Sequence, residues 1–187
     1  NDFSFYDQML DMSCLLGVVP ERYKWDGSAI NLDTYFAMAR GNKDAPAMEM
    51  TKWFDTNYHY IVPELVENQK FLLSTSKVFD EFNEAKAAGI MTRPVLVGPI
   101  TFLHQAKKKG DWSRTTLLPG LIEVYTQILQ KLQQSGAEWV QLDEPYLVLD
   151  LEDKCREAYK KAYAELAQAA PGLKLLVTTY FGDLGKN

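Results

Sequence analysis

Two carboxylates stand side by side where an apolar run ends, in Leu142-Asp143-Glu144-Pro145. Adjacent acids at the end of a buried strand are costly unless they are paired or put to use. At the mouth of an α/β fold they could hold a substrate amine or act as a general base. Equally, they could close a salt bridge or accept from backbone N–H groups at a helix N-terminus. A second stretch, from Met48 to Tyr60, is dense in polar and aromatic side chains: Met48-Glu49-Met50-Thr51-Lys52-Trp53-Phe54-Asp55-Thr56-Asn57-Tyr58-His59-Tyr60. It suits a loop over a pocket, where Lys52 could meet an anion and the rings could stack on a flat ligand. The competing reading is a packed surface loop whose Trp and Tyr close the rim of the fold.

The only histidines, His59 and His104, have no Cys or acid at metal-ligand spacing, which argues against a metal site in this segment. Lys107-Lys108-Lys109, just before Gly110, reads as a solvated loop, with an anion site as the second reading. No Gly-x-Ser-x-Gly, P-loop or Cys-x-x-Cys motif occurs. That lowers the case for serine hydrolase, NTPase and thiol-redox chemistry.

Those residues need elements to position them, and the second half of the chain supplies a rhythm of helix, short turn, strand. Apolar spacing predicts a helix from about Ser76 to Ala88, with Val78, Phe79, Phe82 and Ala85 on one face and Gly89 as its stop. A longer helix runs from about Ser113 to Gln134, carrying Leu118, Leu121, Ile122, Tyr125, Ile128, Leu129 and Leu132 at three- and four-residue spacing. A third spans roughly Asp153 to Ala169. Strands are expected at Pro94–Val97, Trp139–Leu142 and Leu175–Val177, with a fourth near Tyr58–Val62 and a fifth around Met48–Thr51. The N-terminal third is less regular, with helices at Phe5–Leu16 and Leu32–Arg40 and a turn at Tyr23–Gly27.

Helices alternating with short apolar strands mean βαβ units and a parallel sheet. Short helix-to-strand turns and longer, polar strand-to-helix connections point to a (β/α)8 TIM-type barrel with its chemistry at the C-terminal ends of the strands. Eight such units need about 250 residues, so 187 residues hold an incomplete barrel of about four to five units. Residues 1–187 read as one domain, and missing strands should leave exposed edges.

The balance of 20 Lys plus Arg against 25 Asp plus Glu gives a net charge of −5, which argues against a general nucleic-acid partner. With 47% hydrophobic and 12% aromatic residues the chain is not disordered. No apolar run approaches the length of a membrane span, and no signal peptide is evident. Two cysteines, Cys14 and Cys155, suit a reducing compartment, so a cytoplasmic location is expected. A first residue of Asn rather than Met suggests a processed chain or a piece of something longer.

Several segments resemble the cobalamin-independent methionine synthase family. They are Glu49-Met50-Thr51-Lys52-Trp53-Phe54-Asp55-Thr56-Asn57-Tyr58-His59-Tyr60 followed by Val62-Pro63-Glu64, then Arg93-Pro94-Val95-Leu96-Val97-Gly98-Pro99-Ile100-Thr101, Glu138-Trp139-Val140-Gln141-Leu142-Asp143-Glu144-Pro145, and Thr178-Thr179-Tyr180-Phe181. The resemblance runs from about Asp2 to Gly182 and is most specific in the first segment. It implies a two-barrel enzyme that moves the methyl group of 5-methyltetrahydrofolate polyglutamate to homocysteine, with a zinc ion in the C-terminal barrel activating the thiol. This chain resembles the N-terminal barrel. Thr178-Thr179-Tyr180 stands where the resemblance places a His-x-Cys zinc pair in the catalytic barrel, so no cofactor and no catalytic residue are carried over to this segment.

One residue is carried over: Lys52, which the resemblance implies contacts the folate polyglutamate. Asp143 and Glu144 would sit on the barrel face where the other barrel holds its substrate-binding acids, here with a structural role. An Arg-Glu-Leu-Lys folate contact that the resemblance also implies is not in this sequence. The implied partners are the folate, homocysteine by way of the other barrel, and the C-terminal barrel of the same chain. Two other readings stay open. One is a non-catalytic binding or scaffold module derived from a barrel. The other is a uroporphyrinogen-decarboxylase-like or corrinoid-linked methyltransferase, against which the Thr-Lys-Trp-Phe segment argues.

Overall fold

The computed structural model describes residues 3–187. In chain order the elements are α1 (Gln8–Leu15), α2 (Leu32–Arg40), β1 (Met50–Lys52), β2 (His59–Ile61), β3 (Glu64–Leu65), α3 (Lys77–Ala87), β4 (Val95–Val97), α4 (Pro99–Gln105), β5 (Lys107–Lys108), α5 (Leu118–Gln134), β6 (Trp139–Asp143), α6 (Asp153–Ala169) and β7 (Lys174–Thr178). Short 3-10 turns lie at Glu21–Tyr23, Arg114–Leu117 and Pro145–Val148.

α5 buries the face its sequence announces, with Leu121, Tyr125, Ile128, Leu129 and Leu132 fully enclosed. α6 lies against it through Ala162 and Leu166. Beneath them β4, β6 and β7 form a parallel sheet in the order β4-β6-β7, with Val97 opposite Asp143 and Asp143 opposite Thr178. Crossovers between parallel strands place their helices on the sheet face. Val140 and Leu142 point into the helical layer and are buried, while Gln141 and Asp143 on the other face are only half-buried. The Tyr125 hydroxyl donates to the Val97 carbonyl at 2.6 Å and ties α5 to the end of β4. Gly136 ends α5 at φ +95, a conformation that favours glycine.

The architecture is α/β with parallel sheets. The sheets do not close into a barrel: β1-β2, β3-β5 and β4-β6-β7 are separate among the described residues. The two N-terminal strand expectations need correction. β1 and β2 are not parallel members of the sheet; they form an antiparallel hairpin with Met50 opposite Ile61, Thr51 opposite Tyr60 and Lys52 opposite His59. The reason is connection length. Residues 53–58 are a tight turn, whereas parallel neighbours need a crossover of about a dozen residues or more.

Two further differences are local. Gly98-Pro99, directly after the β4 strand, opens α4, a helix the apolar spacing does not announce, because proline is well placed in the first turn of a helix. The helix expected from Phe5 starts at Gln8, because the Asp7 carboxylate accepts from the N–H groups of Met9 and Leu10 and caps it there. A second apolar cluster joins α1, α2 and the hairpin through Leu10, Cys14, Met38, Met48 and Ile61.

Candidate functional site

The C-terminal ends of β4, β6 and β7 are locked to one another. The Gly98 N–H donates to the Asp143 carbonyl at 2.7 Å, and the Glu144 N–H donates to the Thr178 carbonyl at 2.8 Å. Asp143 and Glu144 leave this edge in different environments.

Glu144 is 0% exposed. Its Oε1 accepts from the Ile100 N–H at 3.1 Å and the Tyr163 hydroxyl at 3.0 Å. Its Oε2 accepts from the Thr101 N–H at 2.7 Å and the Thr101 hydroxyl at 2.6 Å. Four donors therefore saturate the carboxyl. Burial nevertheless pushes its pKa up to about 7, outweighing the donors, which pull it down. The carboxyl lies directly under Gly98, where any Cβ would collide with it. So Glu144 joins β6 to the start of α4 and to α6, and has no free oxygen lone pair for a ligand.

Asp143 is half-buried and accepts from the Gln141 side-chain amide at 2.7 Å. Burial raises its pKa. Tyr180, just beyond β7, is pushed up to about 12, first by burial and then by the nearby Asp143 charge. Asp143 is thus the acid that remains partly accessible at the sheet end.

Lys52 lies on the hairpin, exposed and opposite His59. Among the described residues it takes part in no ion pair. The hairpin around it is fixed on three sides. The Asp7 carboxylate at the start of α1 accepts from the Ile61 N–H at 3.0 Å, and the Gln8 N–H donates to the Tyr58 hydroxyl at 3.3 Å. Burial raises Asp7 to about 6. The Tyr60 hydroxyl donates to the Gln105 carbonyl at 2.8 Å at the end of α4. Trp53 is 3% exposed and meets Tyr60 and Phe54 edge-on. Phe54 then meets Phe181 beyond β7, ring centroids 5.4 Å apart. Both Phe54 (φ +51) and Phe181 (φ +82) hold left-handed backbone that side chains rarely adopt. Such strain persists only where the surroundings enforce it, and it clusters at functional sites.

The structure thus brings the hairpin to the strand ends where Asp143 sits, by way of Phe54, Phe181 and Tyr180. It does not put Lys52 and Asp143 in contact: no ion pair or hydrogen bond joins them among the described residues. The basic run is mostly engaged internally. Lys107 pairs with Glu49 at 3.3 Å and Glu64 at 3.5 Å, and Lys108 donates to the Trp112 carbonyl.

Sequence reasoning missed one cluster. His104 stacks on Tyr146 at 4.2 Å, and its Nε2 lies 3.4 Å from the Cys155 sulfur. Burial holds His104 down to about 4 and pushes the Cys155 thiol up, so the pair rests neutral and no thiolate forms. These residues come from α4 and α6, and no local pattern announces them. An open cavity of about 550 Å³ lies away from Lys52, between α1, α2 and α3, lined by Phe3, Phe5, Leu32, Tyr35, Asp11 and Lys77. Among the described residues no group of three or more His, Cys, Asp or Glu side chains is placed to hold a metal, and no helix is long and apolar enough to cross a membrane.

Comparisons with known proteins bear on this geometry. The family described as the cobalamin-independent synthase, N-terminal domain, matches residues 1–187. A 5-methyltetrahydropteroyltriglutamate–homocysteine methyltransferase of Mesorhizobium japonicum is 52% identical over 100% of this chain and 26% of its own length. The Salinibacter ruber protein of the same name is 54% identical, again over 100% and 26%. One from Oryza sativa is 52% identical over 98% of this chain and 24% of its own. The chain therefore spans about a quarter of the length of the curated relatives it matches. A solved structure described as that of a vitamin-B12 independent methionine synthase from Listeria monocytogenes superposes with TM-score 0.50 at 17% identity, covering 61% of this chain and 39% of that one. At that identity the likeness concerns the fold.

Proposed function

The chain belongs to the cobalamin-independent synthase family, as its N-terminal domain, and from that premise we propose that it serves a larger enzyme that methylates homocysteine from 5-methyltetrahydropteroyltriglutamate. In this reading the segment contributes the Lys52 contact for the glutamate tail of the folate and supports a second, catalytic domain of the same chain. The parallel β4-β6-β7 sheet is, in this reading, an arc of an incomplete (β/α)8 barrel. The outer side of β7 supports this, because among the described residues β7 pairs only with β6.

The observation that carries the proposal is the state of Lys52. It is a solvent-facing ammonium without an ion-pair partner among the described residues, on a hairpin pinned at the strand ends by Asp7, Tyr60 and Phe54. An ammonium without a carboxylate partner is available for a carboxylate ligand. Glu144 has a structural role, since all its acceptor capacity is used by α4 and Tyr163. Asp143 remains a polar group on the barrel face. The zinc ion implied by the family resemblance does not fit this segment. Thr178 ends β7 and Thr179 and Tyr180 follow it, and no group of three or more His, Cys, Asp or Glu side chains is placed to hold a metal among the described residues. No step of the reaction is assigned to a metal here. Two free, buried cysteines, Cys14 and Cys155, support a reducing, cytoplasmic setting.

The test is Lys52→Ala in the full-length enzyme. An exposed ion pair contributes about 0.2–1 kcal/mol, so triglutamate affinity should fall by up to about fivefold. Monoglutamate affinity should change less, and the difference should shrink as salt is raised. Equal losses for both ligands would end the tail-binding role.

A further inference from the structure

The β1-β2 hairpin leaves one buried backbone donor for the rest of the fold to satisfy. The Val62 N–H donates to the Glu49 carbonyl and the Trp53 N–H to the Tyr58 carbonyl, both across the hairpin. Successive N–H groups of a strand point to opposite sides, so the Ile61 N–H, next to that of Val62, is turned away from β1. Ile61 is 0% exposed, which puts that donor out of reach of solvent. Its partner is the Asp7 carboxylate, 54 residues away in the chain.

Asp7 is itself buried, and its two oxygens have separate duties. Oδ1 accepts from the Met9 N–H at 2.7 Å and the Leu10 N–H at 2.9 Å and so caps α1. Oδ2 accepts from the Ile61 N–H at 3.0 Å and so clasps the hairpin. Only the ionised carboxylate offers acceptors on both oxygens with no proton of its own. A neutral carboxyl carries an O–H on one of them, facing an N–H. The cap makes two bonds and the clasp one, so the proton settles on Oδ2 and the clasp opens.

The surroundings hold titratable groups but give Asp7 no cation. Asp11, one turn on in α1, pairs with Lys77 of α3 at 3.3 Å and accepts from the Tyr35 hydroxyl of α2 at 2.8 Å. Cys14 on α1, Tyr35 on α2, and Tyr58 and Tyr60 on the hairpin are each raised, first by burial, with the Asp7 charge contributing. Among the described residues no Lys or Arg pairs with Asp7. Burial raises its carboxyl to about 6, against the pull of the three N–H donors. Below that pH the neutral form relieves the burial cost, so this group adds stability to the fold while the clasp is lost.

We propose that Asp7 is the positioning residue of the Lys52 subsite: its ionised carboxylate clasps the Ile61 backbone to the start of α1, and the hairpin holds Lys52 in place for the folate tail only while that clasp is made. The inference rests on the reading of Lys52 as the tail contact.

Asp7→Asn separates the clasp from the cap. An amide oxygen caps a helix as well as a carboxylate does, and the amide nitrogen then meets the Ile61 N–H donor to donor. Asp7→Ser also caps α1 and is too short to reach Ile61. The readouts are hydrogen–deuterium exchange of the full-length enzyme and its binding of triglutamate and monoglutamate 5-methyltetrahydrofolate. Above neutral pH both variants should speed exchange of the Ile61 amide about tenfold, the scale of one hydrogen bond to a charged group. Amides of α1 beyond its first turn should keep their protection. Triglutamate affinity should fall by up to about fivefold, the ceiling set by Lys52→Ala, and monoglutamate affinity should change less. In a Lys52→Ala background Asp7→Asn should cost no further affinity, a result that a purely structural role would not give. Well below pH about 6 the wild type and Asp7→Asn should exchange alike at Ile61. A wild-type enzyme that binds both ligands equally overturns the tail-site reading itself. A triglutamate preference that survives in both variants, equal losses for the two ligands, or unchanged Ile61 exchange above neutral pH overturns only the role of Asp7. If neither variant folds, the wild-type pH series decides: relative to amides of α5, Ile61 must exchange faster as pH falls through about 6, and a constant ratio overturns the clasp.

Discussion

Gly98→Ala isolates the packing of the buried carboxyl. The backbone at Gly98, φ −71 and ψ 156, is one that alanine adopts freely, so the substitution adds no conformational strain. The new Cβ, however, would fall closer than 3.0 Å to Cγ, Cδ and Oε1 of Glu144. The carboxyl must then withdraw by more than the few tenths of an ångström that packed neighbours yield. It cannot do so and keep all of Ile100, Thr101 and Tyr163 as donors. Loss of two of its four hydrogen bonds, at about 1.5–3 kcal/mol each for a charged acceptor, costs about 3–6 kcal/mol. The reduced freedom of the unfolded chain returns about 0.4–1 kcal/mol. The net loss is about 2–5.6 kcal/mol, to be measured by urea titration and calorimetry of the full-length protein. The decisive comparison is a double-mutant cycle. In a Glu144→Ala background the colliding atoms are gone, so Gly98→Ala should cost nothing further. A loss below about 1 kcal/mol in the wild type, or the same loss in both backgrounds, would refute this account of why the position is glycine.

The remaining predictions concern protons and buried hydroxyls, besides the ligand tests of Lys52 and Asp7. Glu144 rises from 4.5 to about 7 on folding. Between those values the folded state holds a proton the unfolded chain has released, so this group lowers stability as pH rises through that window, by about 3 kcal/mol in all. Asp7 adds a slope of the same sign between 3.8 and about 6. Glu144→Gln should remove the Glu144 share of the slope in melts taken across pH, and a wild-type slope surviving in full would contradict the assignment. Tyr125→Phe removes the hydroxyl that reaches the Val97 carbonyl and should cost about 1–3 kcal/mol in the same urea titration. No loss would mean that the hydroxyl does not tie α5 to β4.

Much of the architecture was legible locally. The apolar spacing in α3 and α5, the runs at Pro94–Val97 and Trp139–Leu142, and the stop at Gly89 each state their element within a few residues. That is enough to predict parallel β/α units, because periodicity reports which face an element buries. The direction of the Met50–Ile61 pairing was missed. A strand pattern says that a segment is extended, while the length of the connection decides whether its neighbour runs with it or against it. α4 was missed because seven residues after a Gly-Pro are too few to display a period.

The site divides in the same way. The polar, aromatic Met48–Tyr60 stretch and the family resemblance carried by Thr-Lys-Trp-Phe singled out Lys52, and the sequence marked Asp143 and Glu144 as a costly pair. Only the tertiary structure separated the two acids. Their fates depend on what covers each face of the sheet end: Gly98, Thr101 and Tyr163 close over Glu144, from segments 43 to 46 residues earlier and 19 later in the chain, while among the described residues Asp143 accepts only from Gln141 and stays half-buried. The His104–Cys155 contact and the Phe54–Phe181 clasp are likewise decided by packing between distant segments. Local propensity fixes what each stretch of chain becomes. Which side chains share a low-dielectric pocket, and therefore which carboxyl is saturated and which ammonium is left free, is settled only when those stretches pack.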